Sequence, residues 1–122
     1  MRFKDYFSKT FETSDNHHID SLKTHYYRVR KEDAFDAVIT VLKEMKSVIK
    51  SSDSERGEII VDASDFSGTV SITATSYTEI AVDIIVMTYN VLPSAKGKKI
   101  IEKFYDLLDK KIPLKGIALH RY

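Results

Sequence analysis

Two adjacent histidines flanked by carboxylates are the side chains in this sequence best suited to ligate a metal. His17 and His18 stand between Asp15 and Asp20, and imidazole nitrogens and carboxylate oxygens are common ligands of first-row metals. Adjacent side chains diverge, however, and a closed zinc site needs further ligands whose spacing the sequence does not fix. The alternative is a solvated linker, and on balance we expect neither a resident metal nor a cofactor.

A lysine-rich segment at a predicted helix start is a candidate for binding an anion. Free backbone N–H groups at a helix start, together with ammonium groups, can hold a phosphate. The segment offers Ser94, Lys96, Lys98 and Lys99. It is not a P-loop, because no glycine stands five residues before Gly97 and no Ser or Thr follows the lysine pair. The alternative is a solvated helix start whose lysines serve solubility.

No pattern in the chain is typical of an enzyme. The absence of cysteine excludes a thiol nucleophile, a thiolate metal site and a disulfide framework. Carboxylates such as Asp62, Asp65 and Asp83 are present, but an acid–base pair also needs a cleft and shifted pKa values. No serine lies in a nucleophile-elbow pattern. We therefore predict a protein without catalytic residues.

The charge distribution bears on the choice of partner. The net charge is +1 over 122 residues, which by itself predicts no polyanionic partner. Residues 53–83 hold seven acids and one base, whereas residues 96–122 hold eight bases and three acids. These two regions can pair within one fold or head to tail between chains. No basic stripe is interleaved with exposed aromatic residues, so we do not expect nucleic acid as a partner.

No segment of the sequence is typical of membrane insertion or export. The apolar run from Ile80 to Met87 is interrupted by Asp83 and falls far short of the roughly 20 residues that span a bilayer. Charged residues stand where a signal peptide has its apolar core. We expect a cytoplasmic protein that is not stably inserted in a membrane.

The spacing of aromatic residues near the N-terminus predicts a short amphipathic helix. Phe3, Phe7 and Phe11 are four residues apart, which places them on one helical stripe. The stripe can pack on its own domain, on a second copy or on a membrane surface. We therefore predict a helix and linker over residues 1–20, followed by a single α+β domain over residues 21–122 with an apolar C-terminal tail.

The remaining pattern predicts a strand, a helix, four strands and a second helix. The strands are expected at 22–30, 47–51, 58–63, 69–76 and 80–89, the helices at 32–45 and 94–112, and the tail as an edge strand or docked on a neighbour. Tight turns predict an antiparallel meander, and one apolar stripe per helix places both helices on the same sheet face. This two-layer α+β sandwich, with the order β-α-β-β-β-β-α, is similar to the TATA-binding-protein-like and helix-grip folds.

Three features resemble a group of small uncharacterised bacterial proteins. They are the stretch from Tyr26 to Val29, the Glu-Arg-Gly type of turn from Ser54 to Ile59, and the lysine-rich helix after the last strand. The resemblance covers about residues 22–111 and implies a βαββββα domain in a bacterial cytosol, without assigning site residues. The sequence departs from the group at residues 89–93, where a more polar loop with a glycine is expected.

Apolar residues beyond the needs of one two-layer core predict an interaction module that binds a protein partner, most simply a second copy. The interface candidates are Phe3, Phe7, Phe11, Ile85, Met87 and Tyr89. The alternative is a carrier of a small apolar ligand, with Tyr77, Phe104 and Tyr105 lining a pocket between the sheet and the second helix. The anion site at residues 94–99 is a weaker alternative.

Overall fold

The chain forms one antiparallel sheet and two helices. The computed structural model describes residues 7–89 and 96–119, and of residues 7–9 and 89 it describes only the backbone. The helices are α1 (Lys31–Glu44) and α2 (Lys96–Asp109), and a short 3-10 turn spans Asp20–Leu22. The strands are β1 (Phe7–Glu12), β2 (His25–Tyr27), β3 (Val48–Asp53), β4 (Glu58–Asp62), β5 (Phe66–Ser76), β6 (Glu79–Tyr89) and β7 (Leu114–Ile117).

The strand order confirms the predicted meander and adds strands at its far side. Strands β3, β4, β5 and β6 are consecutive neighbours, and β2 and β7 follow beyond β6. Strand β1 also pairs with β6, opposite residues 85–89, while β2 pairs with residues 80–82. Two strands therefore lie end to end along one edge of β6, with a gap between them.

The hydrophobic core lies between the sheet and both helices. Alternation along β5 buries Val70 and Ile72 and exposes Ser71 and Thr73, as expected for a strand with one covered face. The buried side chains of α1 and α2 belong to the same apolar cluster as those of β5 and β6. The two-layer α+β class predicted from the sequence is confirmed. Among the described residues, no helix packs on the opposite sheet face.

The predicted N-terminal helix is wrong where the structure describes that segment. Residues 7–12 form β1, hydrogen-bonded along β6. A spacing of four residues fits both the helical period and the period of two in a strand, so aromatic residues four apart also share one face of a strand. Phe11 packs against α2, where a Cβ built on Gly97 would lie 2.0 Å from its ring carbon Cδ1. Phe11 therefore belongs to the core of its own domain.

The turn between β3 and β4 and the C-terminal tail both form structures that the sequence predicts. Gly57 closes the β3–β4 turn with a φ of 68°, the left-handed conformation that glycine adopts most readily. The tail pairs with β2 as β7, an edge strand. None of the helices in residues 7–89 and 96–119 is long and apolar enough to cross a membrane.

Candidate functional sites

Strand β6 exchanges one neighbour for another at Asp83. Thr13, just after β1, and Thr24, just before β2, donate their hydroxyl hydrogens to Asp83 Oδ1 at 2.7 and 2.5 Å. Thr13 Oγ1 also accepts the backbone N–H of Ile84 at 2.9 Å. Burial raises the pKa of Asp83, and the two threonine hydrogen bonds oppose this rise. Asp83 thus fixes both ends of the segment that leaves the sheet between β1 and β2.

That segment, residues 14–23, is a closed loop. The Ser14 N–H donates to the Leu22 carbonyl at 3.1 Å, and the Thr24 N–H donates to the Ser14 carbonyl at 3.2 Å. Leu22 is buried in the main apolar cluster. The loop is therefore held by its backbone at the base and by one apolar anchor, which fixes the position of the 3-10 turn beside α2.

The candidate metal ligands around His17 and His18 lie in this loop, and their side chains are engaged in local contacts. Asp15 accepts the Tyr26 hydroxyl at 2.6 Å, and His17 Nδ1 accepts the Ile19 N–H at 3.0 Å. His17 stacks on His18 with ring centroids 4.9 Å apart. Partial burial, with a contribution from His18, lowers the pKa of His17. Within the described parts of the chain, no three His, Asp or Glu side chains are grouped to hold a metal ion.

A histidine–aspartate pair joins β2 to the end of α2. His25 Nδ1 lies 3.1 Å from Asp109 Oδ1, and the Tyr27 hydroxyl donates to the same oxygen at 2.6 Å. Burial, strengthened by the hydrogen bond to Asp109, raises the pKa of Tyr27, so Tyr27 stays a donor. An ionised carboxylate only accepts hydrogen bonds, which assigns the imidazole proton to Nδ1. In this tautomer the Nε2 atom carries a lone pair that accepts a hydrogen bond.

Tyr105 of α2 sets the orientation of the imidazole. Its ring stacks on His25 with a centroid distance of 3.7 Å and an interplanar angle of 3°. Its hydroxyl donates to the Val82 carbonyl at 2.6 Å in the buried gap beside β6. Burial raises the pKa of Tyr105, although hydrogen bonding with Thr13 and the His25 backbone opposes the rise. The imidazole is thereby fixed by a ring against its face and a carboxylate at its edge.

His25 lines an open cleft of about 320 Å³ between α2, the 3-10 turn and β7. The lining residues are Asp20, Ser21, His25, Glu102, Tyr105, Asp106, Asp109 and Ile117. Ser21 Oγ is buried and has no hydrogen-bond partner among the described residues. It is therefore not coupled to the imidazole, and the pair lacks the nucleophile of a hydrolytic triad. What the pair can do is present an oriented acceptor to a ligand.

The sequence interpretation did not find this cleft. His25 and Asp109 are 84 residues apart, and no local motif links them. One signal was available, because Tyr105 and Asp109 are four residues apart and so share one face of α2. The same side of α2 carries Leu108, which is buried. The carboxylate of Asp109 therefore lies next to the core and needs a hydrogen-bond or charge partner there.

On the described part of the sheet face opposite the helices, four apolar side chains are exposed or half-buried: Val48, Ile60, Ile85 and Met87. We call this group the open sheet face. Val48, Ile60 and Met87 are 64%, 39% and 37% exposed. Ile60 and Ile85 both pair with Thr69, and Met87 lies one row away in the register. On this face Ile85 and Met87 are neighbours along β6. Ile60 of β4 lies beyond Thr69 in the row of Ile85, and Val48 of β3 lies beyond Ser67 and Asp62 in the row of Met87.

The other predicted interface residues do not join this patch in the described part of the chain. Phe11 packs inward against α2, which corrects its assignment to an interface. Phe3 lies outside the described residues. The backbones of Phe7 and Tyr89 pair with each other across β1 and β6.

Two of the three lysines of the predicted anion site, Lys96 and Lys99, line one groove, and Lys98 does not. Lys96 pairs with Asp65 and Lys98 with Glu102, each at 3.5 Å. Lys99 lines a groove with Lys96, on a different helix face from Lys98. The remaining predicted member, Ser94, lies outside the described residues.

The predicted pocket residues do not line a common cavity. Tyr77 is 81% exposed at the turn between β5 and β6, whereas Phe104 is fully buried in the core. Tyr105 is also buried, and its hydroxyl is bonded to the β6 backbone. Phe104 packs among the core side chains between α2 and the sheet, so the three residues of the predicted pocket lie apart.

Comparison with known proteins gives no family. No protein-family model matches the chain, and no curated protein sequence is significantly similar to it. Functional inference for this chain therefore starts from the contacts described above.

Proposed function

We propose that this protein is a non-enzymatic interaction module that binds a second copy of itself through the open sheet face. The observation that carries this proposal is the exposure of Val48, Ile60 and Met87 on a sheet face that no described helix covers. Exposed apolar side chains grouped in one patch are typical of protein-binding surfaces. Single exposed apolar residues are common, but here four apolar residues fall in two adjacent rows of one sheet face that no described helix covers.

The charges around the patch favour a second copy as the partner. Lys46 and Lys50 flank Val48 at the β3 edge, where they line a shallow groove with Asp62. Glu12 lies at the other side of the face, opposite Ile85 in the register. In a two-fold arrangement the same patch meets itself, so the lysine-bearing edge of one copy can face the carboxylate-bearing side of the other. Such complementarity would fix the orientation of the pair.

The form of β3 favours contact between faces over extension of the sheet. The β3–β4 register shifts between Ile49 and Ser51, at Lys50. A bulge and a lysine on an edge strand both hinder pairing with another strand. The unpaired edge of β3 is therefore hindered from pairing with a strand of another chain, whereas the open sheet face beside it remains accessible.

A solution-mass measurement with matched variants tests the proposal. Light scattering behind a sizing column, run on the full chain over a concentration series, should show the mass rising towards twice that of one chain. Met87→Lys places a charge in the patch and should hold the mass at that of one chain. Tyr77→Lys introduces the same charge at an exposed residue in a turn outside the patch and should dimerise normally. A monomer at every concentration, or equal dissociation by both variants, would overturn the proposal.

Three finer features belong to the same proposal. A cytoplasmic setting is supported by the lack of cysteine. Kinship with the small bacterial proteins is supported by the features at residues 26–29 and 54–59 and by the lysine-rich last helix. The non-enzymatic assignment is supported by the lack of a nucleophile coupled to His25 among the described residues. The alternative of an apolar-ligand carrier has no support from Tyr77, Phe104 and Tyr105, which lie apart or in the filled core.

A further inference from the structure

We propose that the cleft beside His25 binds a small aliphatic amine through its ammonium group. This site is separate from the open sheet face. It is formed by the 3-10 turn, α2 and β7, and the proposal does not depend on self-association.

The charge of the cleft selects a cation. Four of its lining residues are carboxylates, Asp20, Glu102, Asp106 and Asp109, and none is Lys or Arg. Two of these carboxylates have an ion-pair partner outside the lining: Asp20 pairs with Lys23 at 3.1 Å and Glu102 with Lys98 at 3.5 Å. Asp106 has no ion pair or side-chain hydrogen bond within the described residues. A recess lined by one sign of charge concentrates ligands of the opposite sign.

The imidazole supplies the second and independent observation. The His25 side chain is only 8% exposed, and both of its recorded hydrogen-bond contacts are made by Nδ1. Within residues 7–89 and 96–119, the hydrogen bonds of the His25 ring use Nδ1, and Nε2 is not one of the buried atoms without a partner. Nε2 is therefore open to the cleft that His25 lines. Since Asp109 holds the proton on Nδ1, the buried ring offers a lone pair that accepts a hydrogen bond. A ligand N–H satisfies this atom, whereas an anion does not.

The chemistry of the remaining lining narrows the ligand to an organic amine. An ammonium group carries three N–H donors, enough for His25 Nε2 and neighbouring carboxylates such as Asp106. A bare divalent metal is disfavoured, because the described residues contain no group of three metal ligands. Ile117 and the Tyr105 ring give the cleft apolar walls that suit an alkyl chain. A volume of about 320 Å³ is at the small end of ligand sites.

Calorimetry and NMR on the full chain test this proposal with three matched probes. 1,4-Diaminobutane should bind saturably and shift the ring resonances of His25, which are identified by their absence in His25→Phe. 1,4-Butanediol has the same shape without charge and should not bind. Magnesium chloride at matched ionic strength should leave the His25 resonances in place. Binding of the diol, or equal displacement of the diamine by magnesium, would overturn the proposal.

Variants locate the site on the chain. His25→Phe keeps a ring on Tyr105 but removes the acceptor, and it should abolish binding. Asp106→Asn changes an exposed helix residue and should weaken binding about threefold to fivefold, as expected for one solvated charge pair. Asp36→Asn removes an exposed acid on α1 and should leave binding unchanged. Equal weakening by Asp36→Asn, or unchanged binding in a folded His25→Phe, would contradict the site.

The amine test is also independent of the dimer. Met87→Lys should bind 1,4-diaminobutane as the natural chain does, because Met87 lies on the opposite sheet face. A chain that stays monomeric but binds the diamine would refute only the interaction module. A chain that dimerises but does not bind the diamine would refute only the amine site.

Discussion

Replacing Tyr105 by Phe removes one oxygen from the buried gap where β6 changes neighbours. The Tyr105 hydroxyl donates to the Val82 carbonyl at 2.6 Å, and the residue is 2% exposed. The substitution keeps the ring and its stack on His25, so packing changes little. A buried acceptor that loses its donor costs about 1–3 kcal/mol. For a domain of this size, each kcal/mol lowers the melting temperature by about 3–5 °C.

Urea unfolding followed by circular dichroism measures the effect, with thermal unfolding as a second readout. Tyr105→Phe should lose about 1–3 kcal/mol of unfolding free energy at an unchanged urea slope. Tyr77→Phe removes the same oxygen from an exposed side chain and should stay within about 0.5 kcal/mol of the natural chain. Equal stability of Tyr105→Phe and the natural chain would refute the assignment of a structural hydrogen bond to this gap.

Two further predictions concern Asp83 and the β1–α2 contact. Burial raises the pKa of Asp83 in the folded state, so ionisation of this carboxyl destabilises the natural chain once the pH rises above the ordinary carboxyl range. Asp83→Asn lacks this penalty, and its stability relative to the natural chain should therefore increase from pH 3 to pH 7. A stability difference that does not depend on pH would contradict this prediction. Gly97→Ala gains helix propensity of about 1 kcal/mol, but its Cβ would lie 2.0 Å from the Phe11 ring. We expect a net loss of about 1–2 kcal/mol in the natural chain and a gain in a Phe11→Ala background. The same sign in both backgrounds, measured by urea unfolding, would show that the two residues do not touch.

The meander and both helices could be predicted from the sequence because their signals are local. The alternation of Val70 and Ile72 with exposed polar residues defines β5 and its buried face. The apolar stripe of α1 and the glycine at position 57 act within a few residues of chain. In each of these elements the observed structure is the one that the local sequence favours, so tertiary contacts did not change it.

The N-terminal segment shows where local spacing becomes ambiguous. Aromatic residues four apart, such as Phe7 and Phe11, share a face in a helix and in a strand. The segment forms a strand and not a helix because the edge of β6 beyond β2 provides the hydrogen-bond partners of β1. A sequence does not reveal that this edge is left open beyond β2.

The candidate sites depended on long-range register and were only partly predictable. Alternation in β6 placed Ile85 and Met87 on the uncovered face, but Ile60 joins them only through the pairing of β4 with β5. His25 and Asp109 meet only because β2 packs beside the last turn of α2. The four-residue spacing of Tyr105 and Asp109 marks one face of α2, but nothing local identifies the residues that these two side chains meet.

Spin-label distances between copies test the central claim most directly, because a chain without cysteine accepts a single engineered label cleanly. Ser71→Cys places the label on the exposed part of the open-face side, and Thr40→Cys places it on α1 in the other layer. At concentrations where a dimer forms, contact through the open sheet face predicts a short, well-defined distance between the Ser71 labels and a clearly longer one between the Thr40 labels. A shorter distance at Thr40 than at Ser71, or no coupling between copies at either position, would contradict self-association through this face.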